Sequence, residues 1–245
     1  MRLVSILGDS ISTYEGYNPP GYAVYYSGEV LAENGLRSVY DTWWAKVNQA
    51  LHAHLCVNDS YSGSKVSGSA FPAGVSRRRL DHLARPPYSP DLILVYLGFN
   101  DFGYGVKLCR NEAERRDPDP SVFRDAYALM LEGLKRRYPK SAVVCATLMR
   151  GAVRGYPEWV FPERLAGIAL ERYNQEIRDA AARQGCFLAD LSALELRYET
   201  LDGAHPTVRG HQSIADAWIR RLGELGLLQP PAGSGRDGAS EGEMK

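Results

Sequence analysis

Read from its amino terminus, the chain alternates between short apolar runs and longer stretches in which apolar residues recur every three to four positions. The apolar, β-branched runs are Leu3–Leu7, Ala53–Val57, Leu92–Leu97, Ala142–Leu148 and Cys186–Leu191. Each has strand length, and their near-continuous hydrophobicity means that both faces of the strands are covered. The pattern predicts an α/β fold of about five strands, a parallel sheet between two helix layers. The clearest connecting helix is Ser121–Tyr138, where Val122, Ala126, Leu129, Met130, Leu134 and Arg137 follow a 3.6-residue rhythm behind the start signal Asp119-Pro120-Ser121. A second helix is expected from about Pro162 to Gln184, stopped by Gly185. A third begins at Pro206-Thr207, with proline at the first helical position, and turns Ile214, Ala217, Trp218 and Leu222 towards the sheet.

Two stretches, Thr13–Tyr40 and Arg150–Phe161, are too long for tight turns. Both follow strands, so they are expected to be loops overhanging a site. From Gln229 to Lys245 the Pro-, Gly- and Ser-rich sequence lacks the apolar residues to bury a core and is expected to be a disordered tail behind one domain, residues 1–228. Of the 245 residues 44% are hydrophobic, enough for one continuous core.

Charge narrows the partners. Lys+Arg and Asp+Glu stand at 29 each, so no global field recruits nucleic acid or an anionic membrane, and a small neutral or weakly charged substrate fits better. Oligomeric state is not legible. No run approaches the roughly 20 apolar residues of a membrane span. The first apolar stretch breaks too early into Gly8-Asp9-Ser10 for a signal peptide, so a cytoplasmic protein is expected. Cys56, Cys109, Cys145 and Cys186 lack C-x-x-C spacing and are expected to be buried reduced thiols.

In an open parallel sheet, ligands bind outside the carboxyl ends of the strands. Polar groups of catalytic type stand there: Ser10 after the first strand, Asn58 and Gly63 after the second, Gly98 and Asn100 after the third, and Asp202 with His205 after the fifth. A serine hydroxyl needs a neighbouring base to become a nucleophile. His205 is the best candidate, because imidazole titrates near neutrality. Asp202, three residues earlier, can accept from the other ring nitrogen and fix the tautomer. The oxyanion of a tetrahedral intermediate needs donors, for which the Ser10 N–H, the Gly63 N–H and the Asn100 side-chain amide are placed. Each residue also has an ordinary reading: Ser10 or Ser12 as a helix N-cap, Gly63 as a left-handed turn glycine, Asn100 as an Asx turn, Asp202 and His205 as a cap before the last helix.

In order along the chain, Gly8-Asp9-Ser10, Gly63, Gly98-x-Asn100-Asp101 and Asp202-x-x-His205 resemble the four blocks of the SGNH (GDSL-type) hydrolase superfamily. The resemblance implies a flavodoxin-like three-layer α/β/α fold with strand order 2-1-3-4-5. It implies no metal or other cofactor, and ester hydrolysis through an acyl-enzyme. It assigns Ser10 as nucleophile, Asp202 and His205 as the base pair, and Ser10, Gly63 and Asn100 as the oxyanion hole. Ile11 and Ser12 depart from the leucine that follows the serine in the family's namesake motif. The α/β-hydrolases share the order Ser, Asp, His, but their G-x-S-x-G elbow lies well inside the chain, and here Ser12 replaces its second glycine. The alternative from another class is a flavodoxin-like or glycan-binding module without catalytic activity, with Gly8–Thr13 as a phosphate-holding turn at a helix N-terminus. Asp202-x-x-His205 discriminates, because a phosphate binder does not require it.

Other features carry weaker expectations. Tyr14, Arg150 and Trp159 are placed to line a substrate pocket, in an early segment crowded with tyrosine and tryptophan and on the loop after the fourth strand. Arg77-Arg78-Arg79 reads as a solvated helix face, and His211 as packed or capping. His52 and His54 have no carboxylate or cysteine at ligand spacing, so they point to no metal site.

Overall fold

In the computed structural model, which describes residues 2–110, 117–160 and 163–228, five strands form one parallel sheet. They are β1 (Arg2–Gly8), β2 (Ala53–Ser60), β3 (Leu92–Tyr96), β4 (Ala142–Ala146) and the short Phe187–Ala189, which is β9 in chain order. The spatial order β2-β1-β3-β4-β9 is the flavodoxin-like order expected from the sequence, and every neighbouring pair is parallel. Val4, Ile6 and Leu7 of β1 and Leu94 and Val95 of β3 have no exposed surface, as strands covered on both faces must.

Seven α-helices lie among the described residues: α1 (Glu29–Glu33), α2 (Trp43–Ala50), α3 (Arg77–Asp81), α4 (Phe99–Gly103), α5 (Phe123–Arg137), α6 (Leu170–Gln184) and α7 (Val208–Glu224). α5 packs against α3 and α6, and α2 against α7, giving the two helix layers of a three-layer α/β/α fold. Trp43 and Trp218 stack between α2 and α7, with ring centroids 5.3 Å apart and planes 10° apart; both are fully buried. Such aromatic pairs add about 0.5–1.5 kcal/mol to the large apolar area they bury.

Three expected boundaries move. α6 begins at Leu170, because Arg164–Leu165 (β7) and Ile168–Ala169 (β8) form a small hairpin ahead of it. Ala166 and Gly167 at its centre both have positive φ, the requirement of a type I′ turn; Pro162 itself lies outside the described residues. α6 does stop at Gly185, in the left-handed conformation. α7 is capped by Thr207, whose Oγ1 accepts from Gly210 N–H at 3.2 Å, so Pro206 precedes the cap instead of opening the helix. The stretch from Arg150 is not a free loop: β5 (Arg150–Val153) and β6 (Tyr156–Val160) make a hairpin, and β5 also pairs in parallel with β10 (Arg197–Thr200); Phe161 lies outside the described residues. Gly151 permits that approach, since a Cβ there would stand 2.5 Å from the Gly203 carbonyl oxygen.

Thr13–Tyr40 is largely irregular around the short α1. Of the cysteines, Cys56 and Cys145 are buried, Cys186 is half-buried, and Cys109 is exposed in the stretch after α4; all are free. The expected tail, Gln229–Lys245, lies outside the described residues. Among the described residues no helix is long and apolar enough to cross a membrane.

Candidate active site

β1 delivers Ser10 through a turn that only glycine fits. A Cβ on Gly8 would lie 2.6 Å from Ser12 Oγ and 2.8 Å from Ser60 Oγ. Asp9 then caps the single 3-10 turn Ser10–Ser12, its Oδ1 accepting from Ile11 N–H at 3.1 Å. Capping therefore falls to Asp9, and the Ser10 hydroxyl is left for other work. Ser12 Oγ accepts from Trp43 Nε1–H, and Asn58 Nδ2–H donates to the Ser12 carbonyl at 2.8 Å. A single 3-10 turn, not a helix, follows Ser10, so the phosphate-holding helix N-terminus of the alternative reading is not formed.

Beneath this turn lies a residue that the sequence misplaces. Arg79 is not on a solvated face; it has no exposed surface. Its Nε–H donates to Asp59 Oδ2 at 2.7 Å, and its Nη groups donate to the carbonyls of Gly8, Asp59 and Pro72 at 2.9, 2.6 and 2.7 Å. A buried guanidinium is tolerable only with its donors satisfied, and these bonds fix the backbone entering Ser10. Asp59, at the end of an apolar strand, was the available signal, because a carboxylate buried there must find a cationic partner.

The base side is built on the loop after β10. Thr200 Oγ1 accepts from Gly203 N–H at 3.0 Å, and Asp202 Oδ1 accepts from the backbone N–H of Ala204 and of His205 at 2.9 and 2.8 Å. That leaves Asp202 Oδ2, which stands 2.6 Å from His205 Nδ1. Partial burial works to raise the carboxyl's pKa, but the His205 imidazole and those backbone N–H groups outweigh it and hold it well below the ordinary carboxylate range. An ionised carboxylate only accepts, so Nδ1 carries a proton, and in the neutral ring Nε2 is then the nitrogen left with a lone pair. Nε2 lies 2.9 Å from Ser10 Oγ. The structure thus brings Ser10, His205 and Asp202 into one hydrogen-bonded line across 195 residues of chain.

Gly63 and Asn100 stand at the adjacent strand ends. Gly63 has φ +79°, which disfavours any side chain, and its N–H has no acceptor among the described residues. Asn100 Nδ2–H donates to the Ser64 carbonyl at 2.9 Å, which leaves the amide a second N–H. Asp101, fully buried, accepts from the N–H groups of Val66 and Ser67 at 2.7 and 3.0 Å and bolts the two loops together. Burial raises the Asp101 pKa against the pull of those bonds. Burial likewise pushes Asp9 up to about 7, opposed by the Ile11 N–H and the nearby His205 side chain.

With that geometry in view, the comparison with known proteins is direct. The family model of the GDSL-like lipase/acylhydrolases matches residues 2–153. The chain belongs to that family. This acylhydrolase is therefore a hydrolase acting on ester bonds. Its fold is shared with a protein assigned as a GDSL-like lipase from Bacteroides uniformis, 24% identical, with TM-score 0.69 over 91% of this chain and 96% of that one. A second such protein, from Bacteroides ovatus, is also 24% identical, with TM-score 0.68 over 91% and 99%. A family two carbohydrate esterase from Clostridium thermocellum, solved in complex with cellohexaose, is 20% identical, with TM-score 0.54 over 93% of this chain and 65% of that one. No curated protein matches the sequence.

The pocket-lining expectations fare unevenly. Tyr14 of the acylhydrolase is buried, its ring edge-on to Tyr17 at 5.8 Å. The place against His205 is taken by Tyr25, whose ring stacks on the imidazole. Arg150 pairs with Glu163 at 3.6 Å and lines a cavity of about 370 Å³ with Leu148, Met149, Asn174, Ser192 and Arg197. Neither Ser10 nor His205 lines that cavity. Trp159 falls on β6, and its side chain lies outside the described residues. His211 is fully buried and accepts from Trp43 N–H through Nδ1 at 3.2 Å, a packed and capping histidine. Among the described residues no group of three or more His, Cys, Asp or Glu is placed to hold a metal ion.

Proposed function

We propose that this acylhydrolase is a serine esterase working through an acyl-enzyme, with residues 1–228 as its hydrolase unit and a small acetylated carbohydrate as its substrate class. The observation that carries the reading is the line Ser10 Oγ, His205 Nε2, His205 Nδ1, Asp202 Oδ2, with spacings of 2.9 and 2.6 Å at its two hydrogen bonds. His205 takes the Ser10 proton as Ser10 Oγ attacks the ester carbonyl. Asp202 holds the tautomer and stabilises the imidazolium. The oxyanion is met by the N–H groups of Ser10 and Gly63 and by the Asn100 amide, whose loop is already held at Ser64. The imidazolium then gives its proton to the departing alcohol. Water, deprotonated by His205, attacks the acyl carbon, and Ser10 leaves with its proton restored. No metal or other cofactor enters this scheme.

The carbohydrate part of the reading is supported by the fold shared with a carbohydrate esterase solved with cellohexaose, and by the tyrosine-rich segment before α2. The test is a panel of chromogenic esters of increasing acyl length alongside acetylated sugars, assayed for the native chain and for Ser10→Ala. We expect acetyl esters to be preferred. Ser10→Ala should remove turnover and fluorophosphonate labelling while leaving thermal unfolding unchanged. Turnover undiminished in Ser10→Ala would overturn the mechanism, and a preference for long acyl chains with no release of acetate from sugars would overturn the substrate class.

A further inference from the structure

The long segment between β1 and α2 does more than overhang the site. The ring of Tyr25 lies flat on the His205 imidazole, with centroids 3.5 Å apart and planes 10° apart. Its hydroxyl stands 3.3 Å from Asp202 Oδ2, the oxygen that also holds His205 Nδ1. Tyr25 is itself anchored to the nucleophile's turn. Its backbone N–H donates to Thr13 Oγ1 at 3.0 Å, and Thr13 Oγ1–H donates to the Ser10 carbonyl at 2.9 Å. The neighbouring Tyr26 packs edge-on to Tyr25 at 4.9 Å, and its hydroxyl donates to the carbonyl of Pro206, next to His205, at 2.7 Å. One short stretch of chain is thus fastened to both halves of the site.

An imidazole tethered through Nδ1 alone can still tilt about that hydrogen bond, and a tilt carries Nε2 away from Ser10 Oγ. A flat ring at van der Waals distance removes that freedom, and its π-face favours the imidazolium that forms when Ser10 gives up its proton. We propose that Tyr25 is a positioning residue of this esterase, its ring holding the plane of the His205 imidazole so that Nε2 stays aimed at Ser10. The proposal rests on the reading of Ser10 and His205 as nucleophile and base. It assigns the effect to the ring, with the long hydroxyl contact to Asp202 secondary.

The experiment compares Tyr25→Phe, Tyr25→Leu and Tyr25→Gln with the native chain and with Ser10→Ala on a chromogenic acetyl ester, each variant checked for its unfolding midpoint. Loss of aim without loss of binding is expected to lower kcat about ten- to a hundred-fold in Tyr25→Leu, with KM within about threefold of native. Tyr25→Gln serves in its place should the leucine variant not fold. Tyr25→Phe, which keeps the ring, should hold kcat within about threefold of native, a rescue that a role carried by the hydroxyl on Asp202 would not give. The proposal is overturned if the folded ringless variant keeps its kcat, if its loss appears in KM alone, or if Tyr25→Phe falls as far as Tyr25→Leu. Ser10→Ala separates the two readings. If it is inactive while the ringless variants turn over normally, only the role of Tyr25 fails. If Ser10→Ala itself turns over, the mechanism beneath the proposal fails.

Discussion

Ser10 sits in a turn from which water is almost excluded, whereas the side chain of its partner Asp202 keeps 44% of its surface exposed. The serine turn is fixed from below by Arg79 on Gly8, from within by Asp9 on Ile11, and from the side by Asn58 on Ser12. The base loop is fixed mainly by its own backbone, through Thr200 and Asp202, and by tyrosines that come from elsewhere: Tyr198, which donates to the Ala204 carbonyl, and Tyr25 and Tyr26. Rigidity on one side therefore comes from buried polar bonds that the fold cannot lose. On the other it comes from a few bonds around a half-exposed carboxylate, although Tyr26 and Tyr198 behind it are fully buried. Changes to the first should cost stability; changes to the second should cost rate.

Asp202→Asn is the largest test of that contrast. Replacing the carboxylate leaves the loop's shape but lets the imidazole take the wrong tautomer, so kcat should fall by about 10⁴-fold, with only a small drop in the unfolding midpoint from losing a half-exposed ion pair. A loss of stability as large as the loss of rate would erase the distinction between the two regions. Arg79→Leu should do the reverse. It leaves the buried Asp59 carboxylate with only the His82 imidazole, 3.1 Å from its Oδ1, and breaking such a buried pair costs about 3–5 kcal/mol, measurable by urea denaturation. A stability within error of native would mean that the buried cluster does not hold the serine turn.

The smallest effect concerns pH. Burial, helped by the charge of Lys46, pushes His211 down to about 3, so it stays neutral in the folded state at pH values where the unfolded chain binds a proton. Its contribution is fully present above the unfolded value of about 6.5 and is lost as pH falls towards 3. Asp9, raised to about 7, acts in the opposite sense: its contribution is present in acid and lost as pH rises through neutrality. Across pH 4–6 the two slopes oppose one another, and His211→Gln removes one of them. The stability advantage of the native chain over that variant should grow by about 1.4 kcal/mol per pH unit as pH rises from 4 to 6. A constant difference would show that His211 titrates normally.

Much of this was legible in advance, for identifiable reasons. The five sheet strands announced themselves as apolar runs because a parallel strand is buried on both faces. Ser10, Gly63, Asn100, Asp202 and His205 are legible as candidates because they stand after the carboxyl ends of such strands, in the order of the blocks that the sequence resembles. Arg79 is not legible because three successive arginines on a helix look alike in sequence, while only Arg79 meets Asp59. The β5–β6 hairpin reads as a loop in the sequence because its strands are short and β5 leans on the distant β10 for its pairing. Tyr25 had no signal at all among its tyrosine neighbours.

Hydrophobic period is a local property, and from it the sequence alone determined the α/β architecture; the motif blocks at the strand ends carried the resemblance to the family and singled out Ser10, Asp202 and His205 as candidates. Only the tertiary structure decided that Asp9 and not Ser10 does the capping, that Arg79 is buried under the Ser10 turn, and that Tyr25 lies on His205. Those outcomes depend on which distant segments share a few cubic ångströms, and close packing settles that only when the whole chain has folded.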